Sequence, residues 1–93
     1  MSRPPPSVTH VKIRLFVKTY CGWCDKASAW LDEHDIAYET VNVSANRQAY
    51  DEMVRLSGQT LAPVIEVDGK ILADFGPDEL AVFWEKISPA RKR

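Results

Sequence analysis

Val17-Lys18-Thr19-Tyr20-Cys21-Gly22-Trp23-Cys24 lies between two segments of different periodicity. Upstream, Lys12-Ile13-Arg14-Leu15-Phe16-Val17 is strand-like, and downstream Asp25-Lys26-Ala27-Ser28-Ala29-Trp30-Leu31 is helix-like. Cys21 and Cys24 are the only cysteines. A Cys-x-x-Cys at a strand-to-helix junction near the start of a small α/β pattern reads as a dithiol redox site. Side chains three apart on a helix share a face, with Cβ atoms ~5–6 Å apart. Small adjustments then bring the sulfurs into disulfide reach, which needs Cα atoms about 5.5 Å apart. Gly22 takes the turn into the helix and leaves Cys21 approachable, while Trp23 walls one side of the sulfur. Cys21, at the loop tip, is expected to be the nucleophile; Cys24, one turn in, is expected to be the shielded resolving thiol.

Two features favour the Cys21 thiolate. The N-terminal N–H groups and dipole of the first helix contribute ~0.3–1 kcal/mol. Lys18 would add ~2–3 kcal/mol if its ammonium came within about 6 Å at an effective dielectric near 20. A lowered thiol pKa raises the thiolate fraction but weakens each thiolate as a nucleophile, so attack gains little. The larger gain is that Cys21 becomes a good leaving group.

The remaining pattern is that of one α/β domain. Val11, Ile13, Leu15 and Val17 alternate with Lys12, Arg14 and Phe16, and Phe16 implies burial on both faces at the strand's carboxyl end. The first helix is expected to run to about His34, which reads as a solvated residue at a helix end. Ile36–Val43 reads as strand two. A strand-helix-strand unit of this length implies a parallel pair. Ser44 or Asn46 can cap a second helix reaching about Leu56, with Ala49, Met53 and Leu56 as its stripe and Gly58 as its C-cap. Pro63 opens Val64–Val67, Asp68-Gly69 signals a hairpin, and Lys70–Ala73 returns antiparallel. Gly76-Pro77-Asp78-Glu79 starts a last helix whose Leu80, Phe83, Trp84 and Ile87 form an amphipathic stripe. The order is βαβαββα, an α/β fold with a mixed four-stranded sheet flanked by helices, with the pair at the carboxyl end of strand one.

Composition bounds the rest. Ninety-three residues suffice for one core without disulfide staples, and a net charge of −1 implies no general attraction to nucleic acid or membrane. Residues 1–10, with three consecutive prolines, read as a flexible tail without the apolar region of a secretory signal. Residues 89–93 form a short basic tail. A cytoplasmic, reducing setting is the expectation, in which the pair cycles rather than staples. Two thiols and two histidines without finger spacing do not make a structural zinc site, and no metal is expected.

On Val17–Cys24 the chain resembles the glutaredoxins, and the resemblance extends over roughly residues 11–87 within a domain of 11–88. Ser57-Gly58-Gln59-Thr60-Leu61-Ala62-Pro63-Val64 resembles the family's cis-proline loop, and Asp74-Phe75-Gly76-Pro77-Asp78-Glu79-Leu80 resembles its turn into the last helix. The resemblance implies a thioredoxin-like fold, a cis Ala62–Pro63 bond, and a monomeric dithiol–disulfide oxidoreductase serving electron transport and redox homeostasis. Its substrates would be protein disulfides or glutathione mixed disulfides, with glutathione as co-substrate.

It further implies that Ala62 offers its backbone to substrate. Lys18 and Gln59 would reach the glycine-end carboxylate of glutathione, and Gly76 and Asp78 its γ-glutamyl end. Tyr20, Trp23, Leu61 and Pro63 complete the implied binding surface. Gly22-Trp23 stands where many glutaredoxins have Pro-Tyr, and Ala73-Asp74 where they have Gly-Gly. Ala62-Pro63-Val64 and Phe75-Gly76-Pro77-Asp78 look closer to the redoxins that reduce ribonucleotide reductase with electrons from thioredoxin reductase. An iron–sulfur cluster carrier, using Cys21 and glutathione across a dimer, is the third reading.

Overall fold

The computed structural model describes residues 12–87. Val11 and the tails expected over 1–10 and 89–93 lie outside the described residues. The elements are β1 (Ile13–Val17), α1 (Gly22–Glu33), β2 (Glu39–Asn42), α2 (Arg47–Ser57), β3 (Val64–Val67), β4 (Lys70–Ala73) and α3 (Pro77–Ile87). Strand order is β2-β1-β3-β4, with β1 parallel to β2 and antiparallel to β3, and β3 antiparallel to β4. This is the expected mixed sheet.

Leu15 and Phe16 are both fully buried and point into different cores, because successive strand side chains leave opposite faces of a sheet. On one face Leu15 and Ile65 pack with Ala27 and Leu31 of α1 and Leu80 of α3. Phe83, Trp84 and Ile87 flank that cluster half-buried, as the stripe of α3 requires. On the other face Phe16 and Val64 pack with Ala49 and Met53 of α2. The result is three layers, with helices on both faces.

Local signals act as their chemistry suggests. Asn46, rather than Ser44, caps α2: its Oδ1 accepts the Ala49 N–H at 3.1 Å. Gly58 ends the helix at φ 77°, in the left-handed region that a side chain disfavours. Asp68 and Gly69, at φ 51° and 89°, make the tight β3–β4 hairpin. His34 is exposed at the end of α1, where its Nδ1 lies 2.8 Å from the Trp30 carbonyl and its ring stacks on Trp30.

Strand two is shorter than the expected Ile36–Val43. The Ile36 N–H goes to the Leu31 carbonyl at 3.0 Å, closing the end of α1 instead of joining the sheet. Pairing with β1 starts only at Glu39, opposite Arg14, while Ile36 and Tyr38 pack against the core on the approach.

Candidate active site

The sheet's register gathers the loops at one edge. Val17 pairs with Asn42 in the parallel ladder, so β1 and β2 end together. Phe16 pairs with Val64 in the antiparallel ladder, so continuing outward sets Val17 and Lys18 opposite Pro63 and Ala62. Ala73 pairs with Val64, and beyond it the Asp74 N–H reaches the Pro63 carbonyl at 2.9 Å. The loops after β1, β2 and β4 and the loop before β3 therefore share that edge.

Cys21 and Cys24 meet there as a disulfide with Cα atoms 5.2 Å apart. Cys21 is the N-cap of α1: its carbonyl accepts the Asp25 N–H, and its Sγ accepts the Cys24 N–H at 3.1 Å. Sulfur thus takes the place that an oxygen fills at most helix starts, on a donor that the helix geometry leaves open. Cys21 is half-buried, whereas Cys24 is only 2% exposed. The pair therefore combines one reachable and one shielded sulfur, with an N–H and the positive end of α1 directed at the reachable one. Half-buried Lys18 has no hydrogen bond or ion pair among the described residues.

The other implied binding residues are placed in different ways. Tyr20, Trp23 and Leu61 are exposed apolar side chains, Tyr20 completely so. The Ala62–Pro63 bond is cis, as the resemblance implied, and among the described residues neither the N–H nor the carbonyl of Ala62 is hydrogen-bonded. Gln59 turns inward on its own loop, its amide donating to the Leu61 carbonyl at 3.4 Å. Gly76 joins Trp23, Asp74, Phe75 and Glu79 around a cavity of about 270 Å³. Asp78 does not join them. It lines a separate groove of about 400 Å³ with Leu72, Glu79, Val82, Phe83 and Lys86.

Two participants were not singled out from sequence. Glu79 accepts the Gly76 N–H at 2.9 Å, and the Gly76 carbonyl accepts the Leu80 N–H, so Gly76 and Glu79 start α3 together. The signal was present, since an acid three residues after a helix start is a capping pattern. Ser44, offered only as a possible helix cap, instead accepts the Thr19 N–H at 3.1 Å. Nothing in its local sequence marks that contact. Among the described residues no cluster of three or more His, Cys, Asp or Glu is arranged to hold a metal ion.

Residues 13–72 match the glutaredoxin family model. An uncharacterized glutaredoxin-like 8.6 kDa protein in the rubredoxin operon of Clostridium pasteurianum is 34% identical over 74 residues, covering 80% of this chain and 99% of that protein. The glutaredoxin-like protein NrdH of Lactococcus lactis is 30% identical over 69 residues, covering 74% of this chain and 94% of its own. In fold, NrdH-redoxin from Escherichia coli matches with a TM-score of 0.65 over 76% of this chain and 92% of its own, at 21% identity. Family match, fold and a cysteine pair at bonding distance agree: the chain belongs to the glutaredoxin family and is a thiol–disulfide oxidoreductase.

Proposed function

We propose that this protein reduces protein disulfides in two steps. The Cys21 thiolate attacks one sulfur of a substrate disulfide, forming a mixed disulfide and releasing the other sulfur as a thiolate, which takes a proton from water. Cys24 then loses its proton and attacks the Cys21 sulfur. The second substrate sulfur leaves as a thiolate and is protonated in turn. Two electrons have passed to the substrate, and the chain ends as the Cys21–Cys24 disulfide. The observation that carries this reading is the Cys21 Sγ on the Cys24 N–H beside a 2%-exposed Cys24. The N–H stabilises sulfur 21 as the attacking thiolate of the first step; in the second step it is the substrate sulfur that leaves.

The free backbone of Ala62 offers strand-like pairing to an extended substrate, next to Pro63 and Leu61. Tyr20 and Trp23 supply apolar contact around the sulfur. Lys18 supplies a cation on the loop side, with Gln59, Gly76 and Asp78 at the margins. The cycle needs a compartment that returns electrons, and a cytoplasmic location is part of the proposal.

The source of those electrons is the point on which the glutathione and redoxin readings differ. One observation favours the redoxin reading. Asp74 and Glu79 are among the residues that line the cavity beside Trp23, with the Glu79 carboxylate already on the Gly76 N–H. A glutathione carboxylate entering there meets like charge and an occupied donor. The 30% identity to an NrdH of L. lactis supports the same reading.

The test is to supply the oxidised protein with NADPH and thioredoxin reductase, or with glutathione and glutathione reductase, and to follow NADPH consumption on a protein disulfide. Turnover with thioredoxin reductase is expected. Turnover with glutathione alone overturns the redoxin reading, and turnover with neither overturns the proposal.

A further inference from the structure

Tyr20 precedes the cysteine pair at φ 59° with its side chain completely exposed. Left-handed backbone is unfavourable for a residue with a Cβ, and persists only where the surroundings over-determine it. The Tyr20 side chain buries nothing, so its neighbours must hold the turn. On one side Cys21 is fixed as the α1 cap through its carbonyl to Asp25 N–H and its Sγ to Cys24 N–H, each at 3.1 Å. On the other side the Thr19 N–H donates to Ser44 Oγ at 3.1 Å. Ser44 is itself held, because its N–H donates to Asn42 Oδ1 at 2.8 Å and the Ala45 N–H joins the same oxygen at 3.3 Å. The contact spans 25 residues and exists because parallel β1 and β2 end at one edge, with Val43 N–H on the Val17 carbonyl at 2.8 Å.

We propose that Ser44 is a positioning residue for Cys21. Its hydroxyl oxygen, set by the Asn42 turn, holds Thr19 and with it the left-handed Tyr20, which aims the Cys21 sulfur at the Cys24 N–H. Without the hydroxyl, Tyr20 relaxes toward negative φ and the sulfur leaves the donor that stabilises it as an anion. The proposal rests on Cys21 being the nucleophile.

The experiment follows the pH dependence of Cys21 alkylation in the reduced full-length chain, with Cys24→Ser so that one thiol reacts. Ser44→Ala is expected to raise the midpoint by about half a pH unit, a roughly threefold loss of thiolate below it. Ser44→Thr, which keeps the hydroxyl, should restore the midpoint, and the melting temperature should stay within a few degrees in every variant. Glycine adopts positive φ unaided, so in a Tyr20→Gly background Ser44→Ala should shift the midpoint little. An unchanged midpoint in Ser44→Ala overturns the proposal, as does an equal shift in the glycine background. An ordinary thiol midpoint in the parent protein is a different failure: it removes Cys21 as the nucleophile, and the positioning role with it.

Discussion

Gly76 lies so close beneath Trp23 that a Cβ at position 76 would stand 2.8 Å from Trp23 Cζ3. The residue between the two cysteines is thereby fitted against the start of α3, more than fifty residues later in sequence. Trp23 is 58% exposed, so a Cβ at Gly76 would push the ring outward rather than break the core. Gly76→Ala is expected to cost about 1 kcal/mol of stability or less. Reduction of a protein disulfide should fall several-fold, while a small disulfide that does not need the ring is affected less. Steady-state rates on the two substrates, with tryptophan fluorescence reporting the displaced ring, check this.

The cysteines should separate cleanly in a trapping experiment. Cys24→Ser leaves a nucleophile without its resolving partner, so incubation with an oxidised client accumulates a covalent complex that dithiothreitol releases. Cys21→Ser should form no such complex and should lose at least three orders of magnitude in turnover. Mass spectrometry of the adduct, with peptide mapping to position 21, is the measurement. Adduct at position 24 in the parent protein would reverse the assignment.

Acid should weaken the sheet through one ion cluster. Arg14 of β1 reaches Glu66 of β3 and Glu52 of α2, with Arg14–Glu52 at 2.8 Å. The hydrogen bond from Arg14 holds the Glu52 carboxyl below its ordinary value of 4.5, against a smaller opposing effect of burial. Because the folded value is depressed, the unfolded chain binds the proton more readily in that range. The stabilisation is present above the unfolded value and disappears as pH falls through the folded one. Glu52→Gln should cost about 1 kcal/mol or less at pH 7, given its partial exposure. It should also flatten the fall in melting temperature below pH 4.5. An unchanged acid limb in the variant would show that this carboxylate is not its source.

Stability and activity should come apart at residues that make no contact with the cysteine pair. Gly58, at φ 77°, has open space around a built Cβ, so Gly58→Ala meets only the backbone penalty of about 1–2 kcal/mol. Leu31→Ala, in the sealed core between α1 and the sheet, should cost about 2–5 kcal/mol. Thermal unfolding should register both, with the Gly58 variant retaining full turnover when assayed below its melting transition.

Elements whose cause is local could be read in advance. Asp68-Gly69 could only turn tightly, Gly58 could only end a helix, and the Phe16 that interrupts the polar side of β1 marks a strand covered on both faces. The cysteine spacing carried the site for the same reason, since three residues of helix bring two sulfurs together whatever surrounds them. Strand two was overextended because alternation at Ile36 and Tyr38 reflects packing against the core, and a chain can alternate without pairing.

The amino-acid sequence by itself determined the order of elements, the three-layer arrangement, the reactive pair and the cysteine that lies deeper, because each follows from interactions within a few residues. Only the tertiary structure decided that Ser44 braces Thr19, that Gly76 seats Trp23, that Glu79 occupies the Gly76 N–H beside Asp74, and that Asp78 faces another groove. Most of these contacts join loops that are remote in sequence and meet because the register of the sheet ends four segments at one edge. Local periodicity shows which side chains face the core, not which strands lie side by side.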